Sequence, residues 1–202
     1  MHVEPLPIAG AWVFTPVRHG DERGSFLEWY RADVVAKVTG RELPLAQANH
    51  SRSARGVVRG LHYADVPPGQ AKYVYCPRGA LLDVVADIRV GSPTFGQWAA
   101  VRLDDVDCRG MYLAEGLAHG FASLEDGSSL TYLCTTPYNP AAEHTVDPLD
   151  ASLGIDWGVA EPLLSPRDRE APSLVQAGEA GLLPAWDACL DWYDQTGQAV
   201  AR

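Results

Sequence analysis

A chain of 202 residues, 47% of them hydrophobic and 21% charged, has the length and composition of one folded domain with a full core, which excludes a disordered or fibrous protein. Its formal net charge of -10 repels phosphate backbones overall and argues against nucleic acid as a partner. A small anion remains compatible with that charge, because a few arginines inside one cavity outweigh distant surface carboxylates.

In chain order, the N-terminal MHVEPLPIAGAWVF lacks a basic region followed by an apolar core, and no stretch approaches the ~18 apolar residues of a membrane span, so neither secretion nor a membrane is expected. Strand signals then recur at intervals of about 8 to 12 residues, the pattern of an all-β sandwich or barrel. Residues 10–17 (GAWVFTPV) predict a strand closed by Pro16, residues 24–30 (GSFLEWY) a second after the DERG turn, and residues 31–40 (RADVVAKVTG), with apolar spacing near 3.6 and a terminal Gly40, a short helix. Further strands are predicted over 44–51, 56–63, 71–76, 80–89, 97–103, 109–113, 119–123 and 129–136, separated by turns such as PRG, GSPTFG and EDGS. Beyond residue 140 the prolines at 140, 148, 162, 166 and 172 predict a long irregular arm, finished by short helices near 173–180 and 185–194. No repeat or linker divides the chain, so residues 1–202 read as a single domain. The four cysteines, Cys76, Cys108, Cys134 and Cys189, form no CxxC pair and are too sparse for a disulfide framework; they are expected to be reduced thiols in a cytoplasmic protein.

The stretch GVVRGLHYADVPPGQAKYVYC, residues 56–76, sets two strand-like runs around a Pro-Pro-Gly turn and places Arg59, His62 and Lys72 where an ordinary strand carries apolar side chains. Other strands have polar faces too. Gln47, Asn49 and Ser51 share one face of LAQANHS, Phe26, Glu28 and Tyr30 one face of FLEWY, and Asp83 and Asp87 the face opposite Val84, Ala86 and Ile88. Such faces either form the solvated outside of a sheet or point inward, where they cost free energy unless paired or met by a ligand. Several of them together with His62 and Lys72 predict a ligand-filled barrel mouth.

RGLHY at 59–63, the run PPGQAKYVYCPRGALLDVVADIRVGSPTFGQW at 67–98, LAHGF at 117–121, Tyr132 and SPRDR at 165–169 resemble the dTDP-4-dehydrorhamnose 3,5-epimerase family, and more closely its branch acting on dTDP-4-keto-6-deoxysugars of antibiotic pathways. The resemblance extends over roughly residues 5–190. It implies a cupin-type jelly-roll barrel with short flanking helices, a homodimer, and a cofactor-independent, metal-free isomerase working on a thymidine-diphosphate sugar.

Hydrogens at C3 and C5 of a 4-keto sugar are both α to the carbonyl, so a base can remove either if the enolate charge on O4 is stabilised, and inversion requires base and acid on opposite faces of the ring. The resemblance implies His62 as base with Asp168 behind it, Tyr132 as proton donor, Lys72 at the enolate oxygen, and His119, tuned by Asp83, as helper. It also implies Arg23 and Arg59 at the diphosphate, Phe26 and Tyr138 stacking on thymine, and Glu28, Gln47 and Asn49 as polar contacts, with Arg23, Phe26 and Glu28 reaching into a partner subunit's site. Arg167 stands where the family usually has lysine. The rival readings are a metal-dependent cupin such as a dioxygenase, a sugar-nucleotide-binding cupin without activity, and a 3,4-ketoisomerase on the same substrate class. No H-x-H pair, the usual start of a cupin metal site, occurs in the chain. The ketoisomerase also proceeds by enolisation, so residue types alone do not separate it from an epimerase.

Overall fold

The computed structural model describes residues 1–198. The first part of the chain forms β1 (His2–Pro5), β2 (Ala11–Thr15), β3 (Arg18–Asp21), β4 (Gly24–Leu27), α1 (Ala32–Thr39), β5 (Gln47–Ser53) and β6 (Val58–Ala64). Next come β7 (Lys72–Arg78), β8 (Ala80–Asp87), β9 (Trp98–Asp104), β10 (Gly110–Leu113), β11 (Leu117–Ser123) and β12 (Ser128–Cys134). The remainder holds β13 (Glu143–Thr145), α2 (Pro166–Arg169), α3 (Leu174–Glu179) and α4 (Trp186–Thr196).

Two antiparallel sheets dominate, one ordered β1-β2-β10-β7-β12-β5 and the other β13-β6-β11-β8-β9, with β3 and β4 as a separate hairpin. This is the all-β architecture that the strand spacing predicted, in the cupin-like jelly-roll form that the resemblance implied. Apolar residues of both sheets, among them Phe14, Val74 and Met111 from one and Leu81, Val85 and Leu103 from the other, meet in a single buried core. The five-stranded sheet is covered on its other face as well. There Val58, Val84, Ala86 and Ala118 pack under Val146, Leu153 and Trp157 of the C-terminal arm, with Leu174 and Ala177 of α3. Double coverage explains why LLDVVADI reads as an almost continuous apolar run. The arm is irregular, as predicted, but pinned: Trp157 Nε1 donates to the Pro148 carbonyl at 2.8 Å and Trp98 Nε1 to the Leu153 carbonyl at 2.9 Å.

Several expectations need correction. The strand predicted over 24–30 ends at Leu27, so Phe26, Glu28 and Tyr30 do not share a strand face. Aromatic packing takes over beyond it: Trp29 stacks on Tyr75 with centroids 5.1 Å apart, and the Trp29 carbonyl accepts from the Tyr73 hydroxyl at 2.7 Å. Strands β1, β3 and β13 and helix α2 escape the sequence reading because HVEP, RHGD, EHT and PRDR carry too few apolar residues to show a period. Asp87 is no part of a polar cavity wall. Its fully buried carboxylate pairs with Arg89 at 2.6 Å and accepts from the Ser92 and Thr94 hydroxyls, while Arg89 lies over the Trp186 ring and docks α4. Among the described residues, no helix is long and apolar enough to cross a membrane.

Candidate active site

Strands of both sheets line a cavity of about 470 Å³ whose wall includes Arg59, His62, Lys72, His119, Tyr132 and Glu143. Arg59 and His62 stand three residues apart on β6, a spacing that in a regular strand sends side chains to opposite faces. Between them the ladder with β11 slips: His119 pairs with His62 and Phe121 with Arg59, so three steps on β6 oppose two on β11. Gly60 sits at this irregularity with φ +137, and a Cβ there would lie 2.6 Å from Gly120 Cα. The bulge re-aims one side chain, so that Arg59 and His62 both reach one cavity.

His62 Nε2 lies 2.8 Å from Asp168 Oδ1. The arm delivers Asp168 on α2, whose N-cap Ser165 accepts from the Asp168 backbone N–H and whose Pro166 needs no donor partner at the first helical position. Burial alone would raise the Asp168 carboxyl. The His62 hydrogen bond and charge, with help from the Ser165 hydroxyl and the Gly60 N–H, outweigh it and hold the group below the ordinary carboxylate range. Arg167, one residue earlier, lines the cavity and donates to the Glu143 carbonyl at 3.0 Å, tying α2 to β13.

The six-stranded sheet supplies the facing wall. On β12, Tyr132 and Leu130 share the inward face, and burial raises the Tyr132 phenol so that it stays protonated around neutrality. Lys72 on β7 is buried without an ion-pair partner among the described residues, and desolvation lowers its ammonium, opposed in part by Cys134 and Glu143. On β5, Gln47, Asn49 and Ser51 point inward together, as their alternation predicted. His119 Nε2 meets Asp83 Oδ1 at 2.9 Å; burial pushes the Asp83 carboxyl up, and its Oδ2 has no hydrogen-bond partner.

The cavity therefore gathers His62, Lys72, His119, Tyr132, Gln47, Asn49, Arg59 and Tyr138 of the predicted set, with Asp168 behind His62. It does not gather Arg23, Phe26 or Glu28. Arg23 pairs with Asp21 at 2.6 Å on the exposed β3–β4 hairpin, Phe26 on the same hairpin is 67% exposed, and Glu28 faces Arg31 at 3.5 Å. Sequence reasoning missed Gln70 and Glu143 as wall residues. Glu143 lies in a segment read as irregular, and nothing in EHT signals a strand. Gln70 follows the Pro-Pro-Gly turn inside the motif already singled out, and its Nε2 donates to the Thr136 carbonyl at 2.9 Å. Arg167 had drawn notice only as a departure from lysine. Among the described residues no three His, Cys, Asp or Glu side chains gather into a metal-holding group, and the four cysteines are free and buried.

The family model for dTDP-4-dehydrorhamnose 3,5-epimerase matches residues 5–176. The dTDP-4-dehydrorhamnose 3-epimerase of Streptomyces niveus is 56% identical over 189 residues, covering 94% of this chain and 91% of that protein. Among solved structures, the rmlC epimerase of Mycobacterium tuberculosis superposes with a TM-score of 0.95 at 47% identity, covering 97% of this chain and 100% of that one. ChmJ of Streptomyces bikiniensis, a 3'-monoepimerase in complex with dTDP-quinovose, does so with a TM-score of 0.93 at 49% identity, covering 97% and 98%. The length and identity of these matches place the chain in the dTDP-4-dehydrorhamnose 3,5-epimerase family.

Proposed function

We propose that the protein is an epimerase of a dTDP-4-keto-6-deoxyhexose in deoxysugar biosynthesis for a secondary metabolite, inverting C3, C5 or both, and acting as a homodimer without a cofactor. The observation that carries this reading is the pairing of an anchored imidazole, His62 on one sheet, with a protonated phenol, Tyr132 on the other, across one sugar-sized cavity.

In the mechanism, neutral His62 takes the proton from C3 or C5, and Asp168 stabilises the imidazolium that forms. The electron pair moves into the C–C bond and onto O4 as an enolate. Lys72 and His119 meet that charge from a desolvated wall, where an ammonium acts far more strongly than in water. Tyr132 then delivers its hydroxyl proton to the carbon from the opposite face, and the enolate collapses to the ketone. Solvent returns a proton to the phenolate and takes one from the imidazolium. Arg59 and Arg167 supply positive charge for the diphosphate in a chain that is otherwise acidic, and Tyr138, exposed at the rim, offers a face to thymine. The exposed β3–β4 hairpin is available to a partner subunit, which suits a role for Arg23, Phe26 and Glu28 in the neighbouring site.

The test is incubation with dTDP-4-keto-6-deoxyglucose in deuterated water. Deuterium at C3, at C5 or at both is expected, and the position defines the regiochemistry; folded protein that incorporates none removes the epimerase reading.

A further inference from the structure

Gln47 and Asn49 lie two residues apart on β5, and neither carboxamide is free to choose its orientation. The Tyr138 backbone N–H donates to Gln47 Oε1 at 2.8 Å, and a backbone amide cannot reverse that role. Gln47 therefore turns its Nε2 towards Asn49 Oδ1 at 2.8 Å, which leaves Asn49 Nδ2 facing the Cys134 sulfur at 3.7 Å. Thiol sulfur is a weak acceptor. It nonetheless terminates a chain whose direction is set at the other end.

Cys134 is 1% exposed and is the cross-strand partner of Gln47 on one side and of Lys72 on the other. Burial raises its thiol, opposed in part by Lys72 and Asn49, so the sulfur stays protonated near neutrality. Each carboxamide keeps one N–H outside these bonds, and both residues line the cavity. This part of the wall thus offers donors, the chemistry that receives phosphate, hydroxyl or carbonyl oxygens.

We infer that Cys134 is a positioning residue, its sulfur closing the Tyr138–Gln47–Asn49 hydrogen-bond chain and fixing the donor face that receives the oxygens of the nucleotide sugar. This rests on the epimerase reading of the cavity and deepens it.

The test compares Cys134→Ala, Cys134→Val and Cys134→Ser with the parent by circular dichroism and melting temperature, calorimetric Kd for dTDP, and kcat and KM for dTDP-4-keto-6-deoxyglucose. Ala and Val, which lack an acceptor, are expected to weaken binding about fivefold, the equivalent of one neutral hydrogen bond, with kcat within about twofold. Ser, which restores an acceptor, is expected to recover most of that loss. A rise in Kd for dTDP itself assigns the donor face to the nucleotide, and a rise confined to KM assigns it to the sugar. Folded Ala and Val variants with parental Kd and KM overturn the inference, and so does a Ser variant no better than Ala, which marks a packing role; should Ala fail to fold, Val and Ser decide. A parent that exchanges deuterium and binds dTDP, beside variants that match it, sinks the inference alone. A parent that binds dTDP without exchange sinks the epimerase reading, and the dTDP arm then decides the role of Cys134. If the parent does neither, both fall.

Discussion

His62 and His119 are cross-strand partners on β6 and β11 and line the same cavity, yet each imidazole is anchored by a different carboxylate, Asp168 at 2.8 Å and Asp83 at 2.9 Å. The carboxylates are pushed in opposite directions. Asp168, although its burial works the other way, is held low by His62, Ser165 and Gly60, whereas burial dominates at Asp83 and raises it. A permanently ionised partner suits a histidine that must accept a proton and carry it, and the side chain with that partner is also the more accessible, 35% exposed against 9%.

His62→Ala is therefore expected to lower C–H exchange by about 10²- to 10⁴-fold, the usual range for a general base. Asp168→Asn should cost at least about 10²-fold by leaving the imidazole in the wrong tautomer, while His119→Asn costs about 10-fold. Single-turnover deuterium exchange ranks the three, and a His119 variant slower than the His62 variant would reverse the assignment of the base.

Tyr132→Phe separates proton removal from inversion. The phenyl ring keeps the packing on β12 but carries no proton to deliver, so exchange by His62 on its own face persists while the inverted product is lost. Product configuration by NMR, read beside deuterium content, is the measurement. A Tyr132→Phe variant inverting at the parental rate would require another donor on that wall.

Legibility in the sequence followed the physical origin of each feature. Strands β2 and β5 to β12 and the α1 helix carry alternation or apolar periods bounded by turn residues, and they appear within a few residues of where the sequence put them. The inward face of Gln47, Asn49 and Ser51 was visible because alternation is a property of the strand itself. The bulge on β6 was not: it depends on Gly120 of a strand sixty residues away, and alternation alone would have separated Arg59 from His62. Asp168 reached the dyad through resemblance, since no local pattern in SPRDR points at a histidine 106 positions earlier. Asp87 misled, because its partner Arg89 sits two residues on in a buried pair that an alternation argument does not see.

Lys72 sets an alkaline limit. Burial lowers its ammonium from the ordinary lysine value, and stabilising an enolate requires the charged form. Activity therefore falls as pH rises through that lowered pKa, earlier than the ~10.4 of a free lysine. Lys72→Met is expected to reduce kcat by about 10²-fold and to erase this limb. A pH–rate profile of both proteins checks the sign, and a parental limb that persists in the methionine variant would assign it to another group.

Gly60→Ala tests whether the bulge builds the site. The added Cβ would stand 2.6 Å from Gly120 Cα and 3.0 Å from the His119 carbonyl oxygen, both backbone atoms that cannot rotate away, and φ +137 is itself hostile to an L side chain. Relief requires β6 and β11 to separate or β6 to regain regular alternation, and regular alternation turns either Arg59 or His62 out of the cavity. The expected cost is about 1–3 kcal/mol of stability by denaturant unfolding, together with loss of dTDP binding or of exchange according to which side chain leaves. Gly24→Ala provides the comparison: φ there is +131, but an added Cβ meets nothing within 4 Å, so that variant bears the backbone strain without the clash. Near-equal losses of stability and activity in the two variants would show that φ alone, and not the close approach of Gly60 to Gly120, governs the result.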